Sequence, residues 1–174
     1  MQTILNTPDD PAHDSLVEKK SEFIGDAAHV DTLDAAVAFV AAIREQHPKA
    51  RHVAYAAVCG GADGRLSERM SDDGEPSGTA GKPILDVLKQ SGTTDCVVAV
   101  TRYFGGILLG SGGLVRAYSS AASWARKAAR AARIMTAKRY RVRLEDPQVA
   151  RFQQILAQLG GSQEDESYAV NVEL

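Results

Sequence analysis

DCVVAVTRYFGGILLGSGGLVRAYSSA, residues 95–121, decides how the rest of the chain is read. Residues 95–104 are rich in β-branched and apolar side chains, which predicts a central strand covered on both faces. A loop carrying Gly105, Gly106, Gly110, Ser111, Gly112 and Gly113 follows, and then a long helix is predicted over about 113–133. Leu114, Tyr118, Ala121, Ala125, Ala128 and Ala132 recur at steps of three and four, giving one mostly small-residue stripe suited to close packing on a sheet. Arg116, Ser120, Ser123, Lys127 and Arg130 form a second, polar stripe. A polar stripe is ordinarily just a solvated face. The loop before this helix raises another use.

The first N–H groups of a helix lack internal partners, and the helix dipole makes that end positive. Glycines allow close approach to the backbone, Ser111 is a candidate cap, and Arg102 and Arg116 flank the loop. Together these features suit an anion. The loop is not a dinucleotide fingerprint, because GxGxxG begun at Gly110 needs glycine where Val115 stands. The plainer reading is that the glycines only permit tight strand–helix packing.

Charge supports the first reading. The 174-residue chain has a formal net charge of −2, yet residues 96–144 hold ten Lys and Arg and no Asp or Glu. Such a split suggests one positive face and a polyanionic partner, unless the acidic segments fold back over it. Hydrophobic content of 44% and charged content of 24% are those of a globular domain. No apolar run is long enough to span a bilayer. The start, MQTILNTPDDPAHD, lacks secretory-signal character and is read as a flexible polar leader over 1–14. Cys59 and Cys96 form no CxxC pair and are expected to be buried reduced thiols; with no export signal read at the start, the cytoplasm is the expected compartment.

Upstream, 15–30 predicts two short strands or one bent at Gly25, and Asp31 is a candidate N-cap for a helix to about Gln46. Residues 51–60 predict a strand, 60–82 one long loop, and 83–92 a short helix between Pro83 and Gly92. Downstream, 138–145 predicts a strand with one basic face, 147–160 a helix, and SYAVNVEL a last strand.

The loop holds SDDGEPSGTAGKP, residues 71–83. It is no P-loop: Pro76 and Pro83 occupy the first-glycine and Ser/Thr places. Asp72, Asp73 and Glu75 lack EF-hand spacing; two of them with waters could still hold a hard cation such as Mg²⁺, but a solvated acidic turn is the stronger reading and no metal or cofactor is assigned. They are candidate acid or base groups, or a solvated turn. Ser77, Thr79, Gly81 and Lys82 precede a helix and form a candidate second anion nest. Among the histidines, His52, at a strand start, is the one candidate near a site.

VEKKSEFIGDAAHV, RHVAYAAV, SDDGEPSGTAGKPIL and VVAVTRYFGGILLGSGGLVRAYSSA, in this order, closely resemble the IMPACT/YigZ family over about residues 15–125. The resemblance implies an α+β protein. Its N-terminal domain, over 15–134, would be similar to the second domain of ribosomal protein S5, a mixed sheet with helices on one face. A smaller ferredoxin-like domain would follow over 138–174; it lacks a further helix and strand and is therefore expected to be incomplete. Glu22 stands where family members often carry a basic residue.

The family is associated with translation and its regulation under stress, and its bacterial members are suspected nucleic-acid binders. The expected function is thus a non-enzymatic, translation-associated protein that binds RNA or a ribosome-associated protein. Ser77, Thr79, Lys82, Arg102, Tyr103, Ser111, Gly112, Gly113, Arg116, Lys127 and Arg130 would carry the contact, with His52, Asp72, Asp73 and Glu75 as further candidates. The alternative is an enzyme acting on a phosphorylated small molecule where the 71–82 and 105–113 loops meet.

Overall fold

The computed structural model describes residues 1–60, 64–165 and 167. The elements run β1 (Gln2–Ile4), β2 (Ala12–Glu18), β3 (Ser21–His29), α1 (Leu33–Gln46), β4 (His52–Gly60) and β5 (Leu66–Ser71). They continue with α2 (Gly81–Ser91), β6 (Cys96–Tyr103), α3 (Ser111–Ala128), β7 (Ala131–Arg133) and α4 (Asp146–Gln158). The chain divides into two compact units, Met1–Met135 and Thr136–Leu174.

In the first unit β6 lies at the centre of a five-stranded antiparallel sheet of order β2-β3-β6-β4-β5, and its residues 96–102 are all buried. Strand alternation sends its side chains to two cores. Cys96, Val98 and Val100, with Phe23, Ala54, Ala56 and Val58, meet Ile84, Leu85 and Leu88 of α2 and Leu114, Tyr118, Ala121 and Ala125 of α3. Val97 and Ala99, with Val53, Ala57 and Cys59, meet Ala36, Phe39, Val40 and Ile43 of α1. Two expectations are corrected here. The sheet is antiparallel rather than mixed, and helices cover both of its faces rather than one. An apolar central strand needs cover on both sides, which β6 receives.

The small-residue stripe of α3 works as read, down to Ala125. A Cβ on Gly25 would stand 2.7 Å from the Ala121 carbonyl oxygen, so Gly25 admits the helix against β3. Gly25 therefore does not break the strand. The reversal falls at Lys19 and Lys20, whose φ values of 46° and 64° make a tight hairpin turn. Helix α3 ends at Ala128, short of 133, because Ala131–Arg133 pairs with β1. That pairing also corrects the reading of 1–14 as a flexible leader. Ile4 is 1% exposed, Gln2 donates to the Gly92 carbonyl at 3.1 Å, and β2 begins at Ala12.

Thr32, not Asp31, caps α1, accepting from Ala35 N–H at 3.1 Å. The long 60–82 loop contains β5, an edge strand whose polar LSERMS sequence leaves little apolar pattern to read. Cys59 and Cys96 are buried free thiols; burial pushes the Cys96 thiol up to about 12.

Within the second unit, α4 opens with Glu145 N–H donating to Gln148 Oε1 at 2.9 Å, and Arg139 pairs with Glu164 at 2.6 Å. The strand expected at 138–145 has no ladder partner among the described residues, and an isolated strand is not stable. The last expected strand, SYAVNVEL over 167–174, lies outside the described residues except for Ser167. No described helix is long and apolar enough to cross a membrane.

Candidate functional site

The segment 71–82 crosses from β5 to α2 and uses its own acids. Asp72 accepts from the backbone N–H groups of Gly78, Ala80 and Gly81 at 2.8, 3.0 and 2.8 Å. Burial alone would raise its carboxyl, but these three bonds hold it below the usual aspartate range. The candidate nest at Ser77–Lys82 is thus already filled by a carboxylate of the same loop. Thr79 is 5% exposed and donates to the Pro76 carbonyl at 2.7 Å, Lys82 pairs with Asp86, and Ser77 is exposed.

Asp73 is equally committed. Its Oδ2 receives Val53 N–H and the Arg44 guanidinium, each at 2.6 Å, while its carbonyl accepts from His52 Nδ1 at 2.7 Å. His52 is therefore a hydrogen-bonded structural residue of β4.

Glu75 is the deepest of the three acids. It is 8% exposed, and its Oε1 accepts from Arg102 Nη1 and from the Tyr118 hydroxyl, both at 2.7 Å. Burial, then the hydrogen bond to the Glu75 carboxylate, pushes the Tyr118 phenol far up, so it stays a donor. The Arg102 guanidinium also lies 5.4 Å from the centre of the Phe23 ring. One buried triad thus ties the 71–82 loop to β6 and α3. The sequence placed Tyr118 on the packing face, and that is correct; its hydroxyl's role as a partner of Glu75 carried no sequence signal.

The segment 105–113 is built differently. Gly105 passes over the β2–β3 turn so closely that a Cβ there would fall 1.9 Å from the Lys20 carbonyl oxygen. Gly110, at φ 74°, is the N-cap of α3, and no side chain caps this helix. Ser111 is the first helical residue rather than the cap expected. Ser111 and Gly112 are exposed and Gly113 is half-buried, so the first turn of α3 faces outward. An Arg116 Nη1 lies 3.5 Å from where a Cβ on Gly112 would sit.

Arg116 and Lys127 are exposed and have no ion partner among the described residues; they lie eleven residues apart, close to three turns, on one face of α3. Arg130 lies beyond that helix and reaches Asp10 at 3.6 Å. Tyr103 exchanges a hydrogen bond with His47 Nδ1 at 2.9 Å, on the α1 side of the sheet. Lys49 and Arg51, which the sequence reading passed over, line a pocket with Arg102, Tyr103 and Phe104.

Fold and site together define a three-layer α/β/α domain with an acid-locked loop and an open, cation-flanked helix start. The Impact N-terminal domain profile matches residues 19–126, which contain both glycine-rich loops, the Glu75–Arg102–Tyr118 triad and the first turn of α3. The chain belongs to the IMPACT family. It is 43% identical over 143 residues to the IMPACT family member YigZ of Escherichia coli (strain K12), an alignment covering 82% of this chain and 70% of that protein. It is 50% identical over 109 residues to an IMPACT family member of Haemophilus influenzae, covering 63% of this chain and 53% of the relative. A solved chain described as a hypothetical protein superposes with TM-score 0.71 and 38% identity, covering 97% of this chain and 80% of that one.

Proposed function

We propose that this chain is a cytoplasmic, non-enzymatic, translation-associated regulatory protein that contacts RNA, free or within a ribosome-linked partner, at the start and outer face of α3. One observation carries the reading. The first turn of α3 has no side-chain cap, and Arg116 and Lys127 beside and beyond it have no ion partner among the described residues. Exposed amides and unpaired cations are groups that a phosphate backbone satisfies. Trp124, 44% exposed on the same helix, adds a ring able to stack on a base. The association with translation comes from membership of the family. Family likeness is likewise what supports a ferredoxin-like domain over 138–174.

The alternative, an enzyme at the meeting of the two loops, gains less support. Asp72, Asp73 and Glu75 would be its acid and base groups, and each carboxylate is engaged by the protein itself.

The test is retention of RNA at low salt, followed by the intrinsic fluorescence of Trp124, the only tryptophan of the chain. Arg116→Glu with Lys127→Glu should abolish most binding. Replacing both by Ala should flatten the slope of log affinity against log salt by about 1.4, two single-strand phosphate contacts. RNA binding unchanged by the charge reversal overturns the proposal.

A further inference from the structure

At the end of β6 the sheet opens on a pocket of about 180 Å³, lined by Lys49, Arg51, Arg102, Tyr103 and Phe104. Three cations from two segments converge there, the turn between α1 and β4 and the last residues of β6. No carboxylate is among the lining residues. Lys49 and Arg51 are exposed and have no ion partner among the described residues. Arg102 is 7% exposed; Glu75 takes its Nη1, and its buried Nε has no hydrogen-bond partner. A buried guanidinium N–H without an acceptor is costly, so Arg102 brings a positive charge with unmet donor capacity to the edge of this pocket.

The pocket also has an aromatic wall. Phe104 is 49% exposed, with the Arg102 guanidinium 5.5 Å from its ring centre, and Tyr103 is held by His47. A fixed cation beside a half-exposed ring suits a ligand that carries both negative charge and a flat face. The volume is below the roughly 300–1,000 Å³ of ordinary small-molecule sites, so it matches one phosphate and its attached group rather than a dinucleotide.

We propose that this pocket binds a single nucleotide, with its phosphate on Lys49, Arg51 and Arg102 and its base against Phe104. No residue of α3 lines the pocket, so the site stands independently of the RNA contact proposed above. Two sources offer this chemistry, a free mononucleotide and the phosphorylated end of a strand. Glu22 faces Tyr103 in the β3–β6 ladder and opposes the anion, so Glu22→Gln should raise affinity about twofold.

The experiment is calorimetric titration of the full chain with adenosine 5′-monophosphate, adenosine and inorganic phosphate. The mononucleotide should bind, with the other two weaker by about 10-fold or more. Lys49→Ala with Arg51→Ala should weaken the mononucleotide by about 10-fold. Phe104→Leu should weaken it by a similar ~10-fold while leaving phosphate unchanged. All three positions are exposed, so the variants should fold, with melting temperatures close to the parent's as the check.

Displacement of the mononucleotide by a 5′-phosphorylated oligoribonucleotide, but not by its 5′-hydroxyl form, supports the site with a strand end as its source. Displacement by neither supports it with a free nucleotide. Arg116→Glu with Lys127→Glu should leave mononucleotide binding intact, which separates failure here from failure of the α3 contact. No mononucleotide binding, or binding unchanged in the Lys49/Arg51 double variant, overturns the proposal.

Discussion

Helices α2 and α3 both begin on glycine-rich loops, and each leaves backbone amides at its start. They satisfy them in opposite ways. At α2, Asp72 folds back onto the amides of Gly78, Ala80 and Gly81. At α3 no side chain returns to the first turn, and a cation, Arg116, stands beside it. A loop rich in acids satisfies its own amides, whereas a loop without them leaves its first turn uncapped and exposed. Glycine content alone does not distinguish the two; the sign of the neighbouring side chains does.

Breaking the closed loop should cost the most. Glu75→Ala leaves Arg102 charged and buried without its carboxylate, and Tyr118 without its acceptor. A loss of about 3–5 kcal/mol in urea unfolding is expected. Asp72→Ala should cost about 1–2 kcal/mol, because it uncaps α2. The same residue sets an acid limb. Its carboxyl is lowered in the folded state, so its contribution is complete above the unfolded value of about 3.9 and declines as pH falls below that. Melting temperature against pH should show this decline in the parent chain and lack its Asp72 component in Asp72→Ala.

The comparison is sharpened by giving α3 the device that α2 already has. Ser111→Asp places a carboxylate in the first turn of α3. It should raise stability by about 0.3–1 kcal/mol through the helix dipole while lowering RNA affinity several-fold. Stability and binding moving in opposite directions marks a start kept open for a ligand. A gain in stability with unchanged binding marks one that is merely uncapped.

Much of this frame was legible in residues 95–121. The apolar run of β6 announced a doubly covered strand, and the alanine stripe announced close packing by α3. The covering of both faces followed from β6 itself; the family likeness had suggested otherwise. What stayed hidden depended on contacts between segments far apart in the chain. Nothing near Asp72 says that its carboxylate will reach amides six to nine residues on. Nothing near Glu75 says that Arg102 and Tyr118 will meet it. β1 was missed because three residues carry no period, and their strand exists only through pairing with Ala131–Arg133. Lys49 and Arg51 were missed because each, read alone, is an ordinary surface cation; the turn after α1 brings them to Arg102.

The most direct measurement is an amide-resolved NMR titration of the full chain with a short oligoribonucleotide. The account predicts shifts at Ser111, Gly112 and Gly113 that saturate together and fade with added salt, with Gly78, Ala80 and Gly81 unmoved. Shifts centred on Gly78–Gly81, or none at the start of α3 while RNA is bound, would contradict it.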